Sequence, residues 1–205
     1  MNLKNLKLGQ EIIIGEAEYF LPDKMVMVDL EMTGVQPKRD KILQIAMIKL
    51  ELQNLQYIEV EKPLVIYMKN DGKPSNAFHK KFLSHIFEKC NQSDVTNEMA
   101  AKQIEDWMGD WAGKCIPVGD CVITDLNFLS ENGLIKPNDI VDEKPVPGTF
   151  HYEIFDLNGV KCIARQKAGS KFDKDLPLDE NIHDALPDCR NQTLELNAFI
   201  TKLLE

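Results

Sequence analysis

Four carboxylates and one imidazole stand where their spacing allows joint chemistry. Asp29 and Glu31 flank Leu30 directly after the apolar run Met25-Val26-Met27-Val28. Residues two apart on a strand project to one face, and paired carboxylates ending a buried strand are costly unless something compensates them. Solvated surface acids are the competing reading, which the apolar approach disfavours. A divalent cation is the natural compensation, because hard cations prefer carboxylate oxygen. Asp125 closes a second apolar stretch, Cys121-Val122-Ile123-Thr124, where an acid on its own reads as a helix N-cap. His183 and Asp188 bracket Asp184-Ala185-Leu186-Pro187. Proline is accepted in the first turn of a helix, so a helix begins near Asp184, with Asp188 early on it and His183 just outside. An imidazole titrates near neutrality and can take a proton from water and release it. His79, His85 and His151 carry the ordinary reading of a lone histidine, which is structural. Together, D-x-E, D and H-xxxx-D form the set that two-metal phosphodiester hydrolysis requires. One cation activates water and the other stabilises the leaving oxygen, about 3.5–4 Å away.

These side chains need elements to carry them together. Residues 1–24 read as an N-terminal extension, with a strand over 11–14, and residues 25–205 as the main domain. The consecutive apolar positions of 25–28 predict a strand buried on both faces, in the middle of a sheet. Residues 42–50 and 57–68 predict second and third strands in a meander. Helices are expected over 77–89 and 95–111; Trp107 and Trp111 lie four apart, so core packing on one helix face is favoured over base stacking. A strand over 115–124 leads to a helix from 125, an extended segment over 150–157 follows, and 165–182 reads as a polar loop with Arg165, Lys167, Lys171 and Lys174. Core-facing spacing of Cys189, Leu196, Phe199, Ile200 and Leu203 predicts a final helix. Strands first, then strands mixed with helices, give an α/β domain with a mixed sheet.

Composition narrows the partners. The chain has 205 residues and a net charge of −9, against a protein that coats long duplex, since duplex binders rely on a broad basic surface. An acidic site can still hold phosphates when divalent cations lie between the two sets of negative charge. Five cysteines without a CxxC pair argue for buried free thiols in a reducing compartment and against a zinc ribbon or disulfide framework. Residues 12–14 are apolar but form no signal-peptide core, and no stretch is long enough to span a bilayer. The expectation is a cytoplasmic protein, in which the sequons at Asn91 and Asn191 occur by chance.

The segment Val28-Asp29-Leu30-Glu31-Met32-Thr33-Gly34 resembles the first motif of the DEDDh 3′–5′ exonuclease superfamily, and most of all the oligoribonuclease family, whose strand is followed by DLEMTGL. The similarity continues through Pro37, Arg39 to Ile42, Gln44-Ile45-Ala46, the span from Gly119 to Leu129, Phe150-His151-Tyr152 with Asp156, and His183 to Arg190. It runs in order from about Met25 and leaves the first 24 residues uncovered. The resemblance implies a ribonuclease-H-like mixed β-sheet flanked by α-helices. It implies two divalent cations, Mg²⁺ or Mn²⁺, with Asp29, Glu31 and Asp188 on one, Asp29 and Asp125 on the other, and His183 as general base. It puts substrate contacts at Met32, Thr33 and Val35, with Val35 where the family's leucine wedges against a terminal base. Phe78 and Phe82 are the candidates for the aromatic on the other base, against core packing of a helix face. Family members are homodimers, so His151 and Tyr152 are expected near the partner's site.

Several positions depart from the family pattern. Glu153 stands where arginine follows the His-Tyr pair, Asn158-Gly159 replaces a Ser-Thr pair, Leu126-Asn127 replaces two arginines, and Asp179-Glu180-Asn181-Ile182 replaces basic residues before the histidine. Some of these read a substrate's 5′-phosphate and confine the family to dinucleotides, and losing positive charge there weakens that grip. The expected activity is that of a 3′–5′ exoribonuclease on short single-stranded RNA, or on short RNA or DNA oligonucleotides generally, which it degrades to nucleoside monophosphates. An exonuclease acting on single-stranded DNA ends and a catalytically silent nucleic-acid-binding relative are the alternatives.

Overall fold

The computed structural model describes residues 9–14, 17–141, 144–168, 176–180 and 183–204. Two strands, β1 (Gly9–Ile14) and β2 (Ala17–Pro22), pair antiparallel as a hairpin. The main sheet begins with β3 (Lys24–Met32), β4 (Ile42–Gln53), β5 (Gln56–Glu59), β6 (Leu64–Tyr67) and β7 (Ile116–Gly119). A small hairpin, β8 (Asp139–Val141) and β9 (Lys144–Val146), stands apart, and β10 (Phe155–Asp156) completes the main sheet. The order across that sheet is β10-β7-β3-β4-β5, with β6 also on β4. β4 runs antiparallel to β3, β5 and β6, whereas β7 runs parallel to β3 and β10, so the sheet is mixed as its sequence order predicts. The helices are α1 (Ser84–Asn91), α2 (Asn97–Met108), α3 (Val122–Glu131), α4 (Leu157–Ala168) and α5 (Ala185–Leu204). No helix among the described residues is long and apolar enough to cross a membrane.

β3 is the central strand because both of its faces are covered. Val26, Val28 and Leu30 pack with Ala100, Ile104, Val122 and Phe128 of α2 and α3, while Met25 and Met27 pack with Leu157, Ala185, Cys189 and Leu196 of α4 and α5. Period-two alternation therefore assigns Asp29 and Glu31 to the row that continues Met25 and Met27, on the side of α5. β4 carries one extra residue opposite the junction of Glu31 and Met32. Such a bulge twists a strand and re-aims its side chains, commonly beside a site.

The structure corrects several local expectations. The span 57–68 is two strands, not one, broken at Lys62-Pro63, where proline supplies no ladder donor. A π-helical turn, His79–Leu83, precedes α1. Trp111 lies on a separate 3₁₀ turn beyond Gly109, whose positive φ ends α2, yet Lys49 Nζ lies over both Trp107 and Trp111, at 5.0 and 5.3 Å. The strand expected through Thr124 stops at Gly119, and Asp125 lies inside the first turn of α3 instead of at its boundary. The polar loop expected over 165–182 is helical through Ala168; Lys171 and Lys174 fall outside the described residues. Of the free cysteines, Cys90, Cys115 and Cys189 are buried, but Cys121 and Cys162 are exposed.

Candidate active site

Three stretches of chain meet at the C-terminal ends of the parallel strands β3 and β7. β7 pairs with β3 only from Met25 to Met27, which leaves the outer edge of β3 unpaired at Leu30. Asp125 fills that gap: its Oδ1 accepts the Leu30 backbone N–H at 3.1 Å, bridging 95 residues of sequence. An unpaired edge amide thus holds a carboxylate beside Asp29 and Glu31.

The third contribution comes from the start of α5. Asp188 lies in its first turn, and its Oδ2 accepts the backbone N–H of His183 at 2.9 Å. His183 has a φ of 65°, in the left-handed region that histidine enters more readily than most side chains. That conformation sets it off the helix axis. Glu31, His183 and Asp188 each offer a ligand atom, and these atoms lie within 4.8 Å of one another. Phe78 and Phe82 cluster against the imidazole, with ring centroids 4.9 and 4.8 Å from it and 5.1 Å from each other. Phe82 also packs on the Leu43–Phe87–Cys90 cluster, in keeping with core packing, while Phe78 stays largely exposed.

Burial and mutual repulsion hold protons on these acids. Burial drives the Asp29 carboxyl well above its ordinary value, with Asp125, Asp188 and Glu31 adding to the rise and the Gln192 hydrogen bond opposing it. Burial, then the charges of Asp188, Asp184 and Asp125, pushes Glu31 up to about 8. Asp125 rises to about 7, mainly through burial. Asp188 rises for the same reason, against the opposing His183 N–H and imidazole. A site that disfavours four clustered negative charges suits hard divalent cations, which restore the ionised carboxylates as ligands. Oxygen donors with one imidazole at the rim are the donor chemistry Mg²⁺ and Mn²⁺ accept.

Two glutamines missed in the sequence reading hold the arrangement. Gln44, fully buried on β4, accepts the Ala185 N–H at 3.0 Å and donates to Asp184 Oδ1 at 2.8 Å and to Tyr67 Oη at 3.1 Å. It docks the N-terminus of α5 onto the sheet. Gln192, on α5, donates to Asp29 Oδ1 at 2.8 Å. A signal existed for the first: an amide inside the apolar run of 42–48 must find partners if it is buried. Nothing in one sequence singles out Gln192.

The expected substrate contacts are more dispersed. Thr33 closes its loop by exchanging bonds with Lys41, its N–H going to the Lys41 carbonyl and its Oγ1 taking the Lys41 N–H, both at 2.9 Å. A Cβ at Gly34 would fall 2.3 Å from the Asp40 carboxylate, which would have to shift to admit it. Met32 packs partly on the core, and Val35 is 76% exposed on a cleft shared with Pro37, Lys38, Asn127 and Glu131. His151 and Tyr152 stack on each other at 4.0 Å, with His151 lining a different cavity beside Pro117, Leu126, Asn127 and Ile154.

The chain matches the exonuclease family RNase_T over residues 26–196. It is 29% identical to an oligoribonuclease of Baumannia cicadellinicola subsp. Homalodisca coagulata over 182 residues, covering 84% of this chain and 89% of that relative. An oligoribonuclease of Sodalis glossinidius is 27% identical over 185 residues, covering 85% and 92%. Among solved structures, cell-death related nuclease 4 superposes with a TM-score of 0.63 at 16% identity, over 88% of this chain and 64% of its own. Exonuclease I of E. coli, in complex with a dT13 oligonucleotide, gives a TM-score of 0.59 at 15% identity, over 85% of this chain. The chain spans about two-fifths of the length of the exonuclease I chains it matches. These likenesses identify the mixed sheet as a ribonuclease-H-like fold.

Proposed function

Because the chain belongs to the exonuclease family RNase_T, we propose that it removes nucleoside monophosphates from the 3′ ends of short single-stranded oligonucleotides, in the manner of an oligoribonuclease. Asp29, Glu31, Asp125 and Asp188 hold two divalent cations, Mg²⁺ or Mn²⁺, and His183 is the general base. The observation that carries this reading is the convergence of carboxylates from β3, α3 and α5 beside an imidazole.

Each side chain has a part that its surroundings support. His183 takes the proton of the attacking water on a ring nitrogen; Phe78 and Phe82 pack against the ring, and its backbone N–H ties it to Asp188. Asp125, gripped by the Leu30 N–H, lies close enough to Asp29 for its charge to raise the Asp29 carboxyl. Bound divalent cations supply charge compensation for attacking and leaving oxygens in an in-line displacement. Val35 and Thr33, in the loop that follows β3, are assigned to the terminal nucleotide.

The reading differs from the family's on one point. Asn158 Nδ2 donates to Cys121 Sγ at 3.3 Å, and Glu153 lies 3.8 Å from the His151 ring. These positions offer a carboxylate and an amide where the resemblance expects an arginine and a Ser-Thr pair, so a 5′-phosphate gains little there. A homodimer in which Tyr152 reaches the partner's site, and a cytoplasmic location, complete the proposal. Hydrolysis of labelled RNA and DNA oligomers of graded length, with and without 5′-phosphate, tests it. The expected result is turnover of short single strands with less than about a tenfold gain from the phosphate, about 1.4 kcal/mol. Absence of Mn²⁺-dependent turnover on every substrate would refute it.

A further inference from the structure

Gln192 is buried, with 6% exposure, four residues beyond Asp188 and therefore on the same side of α5. Its carboxamide is spanned at both ends. Oε1 accepts the Asp120 backbone N–H at 3.0 Å, and Nε2 donates to Asp29 Oδ1 at 2.8 Å. The orientation follows from chemistry, because a backbone N–H can only donate, so the amide oxygen must face Asp120 and its NH₂ must face Asp29. Gly119 makes room for this arrangement, since a Cβ there would lie 2.6 Å from the Val28 carbonyl oxygen and 3.4 Å from Gln192 Oε1. The turn that carries the Asp120 N–H is anchored in its own right. Lys161 of α4, itself 7% exposed, bridges the Asp120 carboxylate and Glu195, and Glu195 lies three residues beyond Gln192 on α5.

We infer that Gln192, braced through Asp120 and Lys161, is a positioning residue that fixes the Asp29 carboxylate as a metal ligand. The inference rests on the metal reading of the site. A neutral amide suits the task, because it holds Oδ1 by hydrogen bonding and leaves Oδ2 free without adding a cation that would compete with the metal. An arginine or lysine in its place would neutralise Asp29, and an alanine would leave both Asp29 Oδ1 and the Asp120 N–H without this partner. Groups that orient a ligand in this way change metal affinity about 10–100-fold when removed.

The test is calorimetric titration of Mn²⁺ into the full chain and into Gln192→Leu, with kcat followed against Mn²⁺ concentration and folding checked by circular dichroism. The expected result is a rise of about 10–100-fold in the Mn²⁺ dissociation constant, with much of the kcat regained at saturating Mn²⁺. A role confined to packing would lower the melting temperature and leave Mn²⁺ affinity unchanged, and that result overturns the inference. Should Gln192→Leu fail to fold, Lys161→Met approaches the brace from its far end without touching Asp29; a smaller rise of the same sign supports the inference, and unchanged affinity overturns it. Wild-type chain that takes up no Mn²⁺ would instead overturn the metal reading beneath it.

Discussion

Asp29 and His183 serve different parts of the proposed chemistry, so their substitutions should fail differently. Asp29 lies among three other acids and is assigned to both cations; Asp29→Ala is expected to reduce hydrolysis in Mg²⁺ or Mn²⁺ to background, as measured on a labelled oligonucleotide. His183 is assigned to take a proton from water and not to hold a cation, so His183→Ala is expected to lose about 10²–10⁴-fold in rate while calorimetry still records Mn²⁺ uptake. An unchanged rate would remove His183 from the mechanism. The acids also set a pH dependence. Folded Glu31 and Asp125 hold protons up to about 8 and about 7, whereas the same groups in the unfolded chain release theirs near about 4. Between those values the folded chain binds more protons than the unfolded one, and stability falls as pH rises. The melting temperature of chelator-treated protein is therefore expected to drop from about pH 5 to about pH 8, and Glu31→Gln or saturating Mg²⁺ to flatten the drop. A metal-free melting temperature that climbs across that window would contradict the burial of these carboxyls.

At the scale of elements, the site depends on how α5 is seated. The helix carries Asp188 and Gln192 and is preceded by His183, and its first backbone amide is fixed to β4 by Gln44. Asp184 receives the other end of the same amide and lies 3.6 Å from the His85 ring. Gln44→Leu keeps the volume and removes these two bonds together with the one to Tyr67 Oη. It is expected to cost about 1–3 kcal/mol for each buried group left unsatisfied, read as a lower midpoint in urea, and to weaken Mn²⁺ binding because Asp188 moves with its helix. A variant with wild-type midpoint would mean that α5 is held by its apolar face alone. The early end of β7 is the other element-level device: without it, the ladder of β3 would leave no amide for Asp125.

The whole molecule adds surface to the site. Tyr152, Ile154, Ile140, Val141 and Val146 are exposed apolar side chains on and around β8–β9 and the segment before β10. With the resemblance to a family of homodimers, this leads to an expected solution mass twice that of the chain in sedimentation equilibrium, reduced toward one copy by Tyr152→Glu. A single-copy mass at every concentration would confine Tyr152 to its own subunit. Under the proposed function, the net charge of −9 leaves attraction of the substrate to bound cations and to local groups, which favours short strands over long duplex.

The apolar run before Asp29-Leu30-Glu31, the proline after His183 and the order of the motifs were enough to assign a central strand and a C-terminal helix and to single out a candidate acid set, because alternation and helix-start rules act over a few residues. They also indicated the sheet class, since a meander followed by a parallel addition follows chain order. Local patterns did not reveal that β7 stops at Gly119, that 57–68 breaks in two, or that helix replaces the loop at 165–168. The partners of Asp29 and Asp125 lay hidden for the same reason: Gln192 is 163 residues from Asp29, and Leu30 is 95 from Asp125. Hydrogen bonds between such distant groups depend on which edge of a strand is left open and which face of a helix is turned to it, and only the packed sheet and helices decide that.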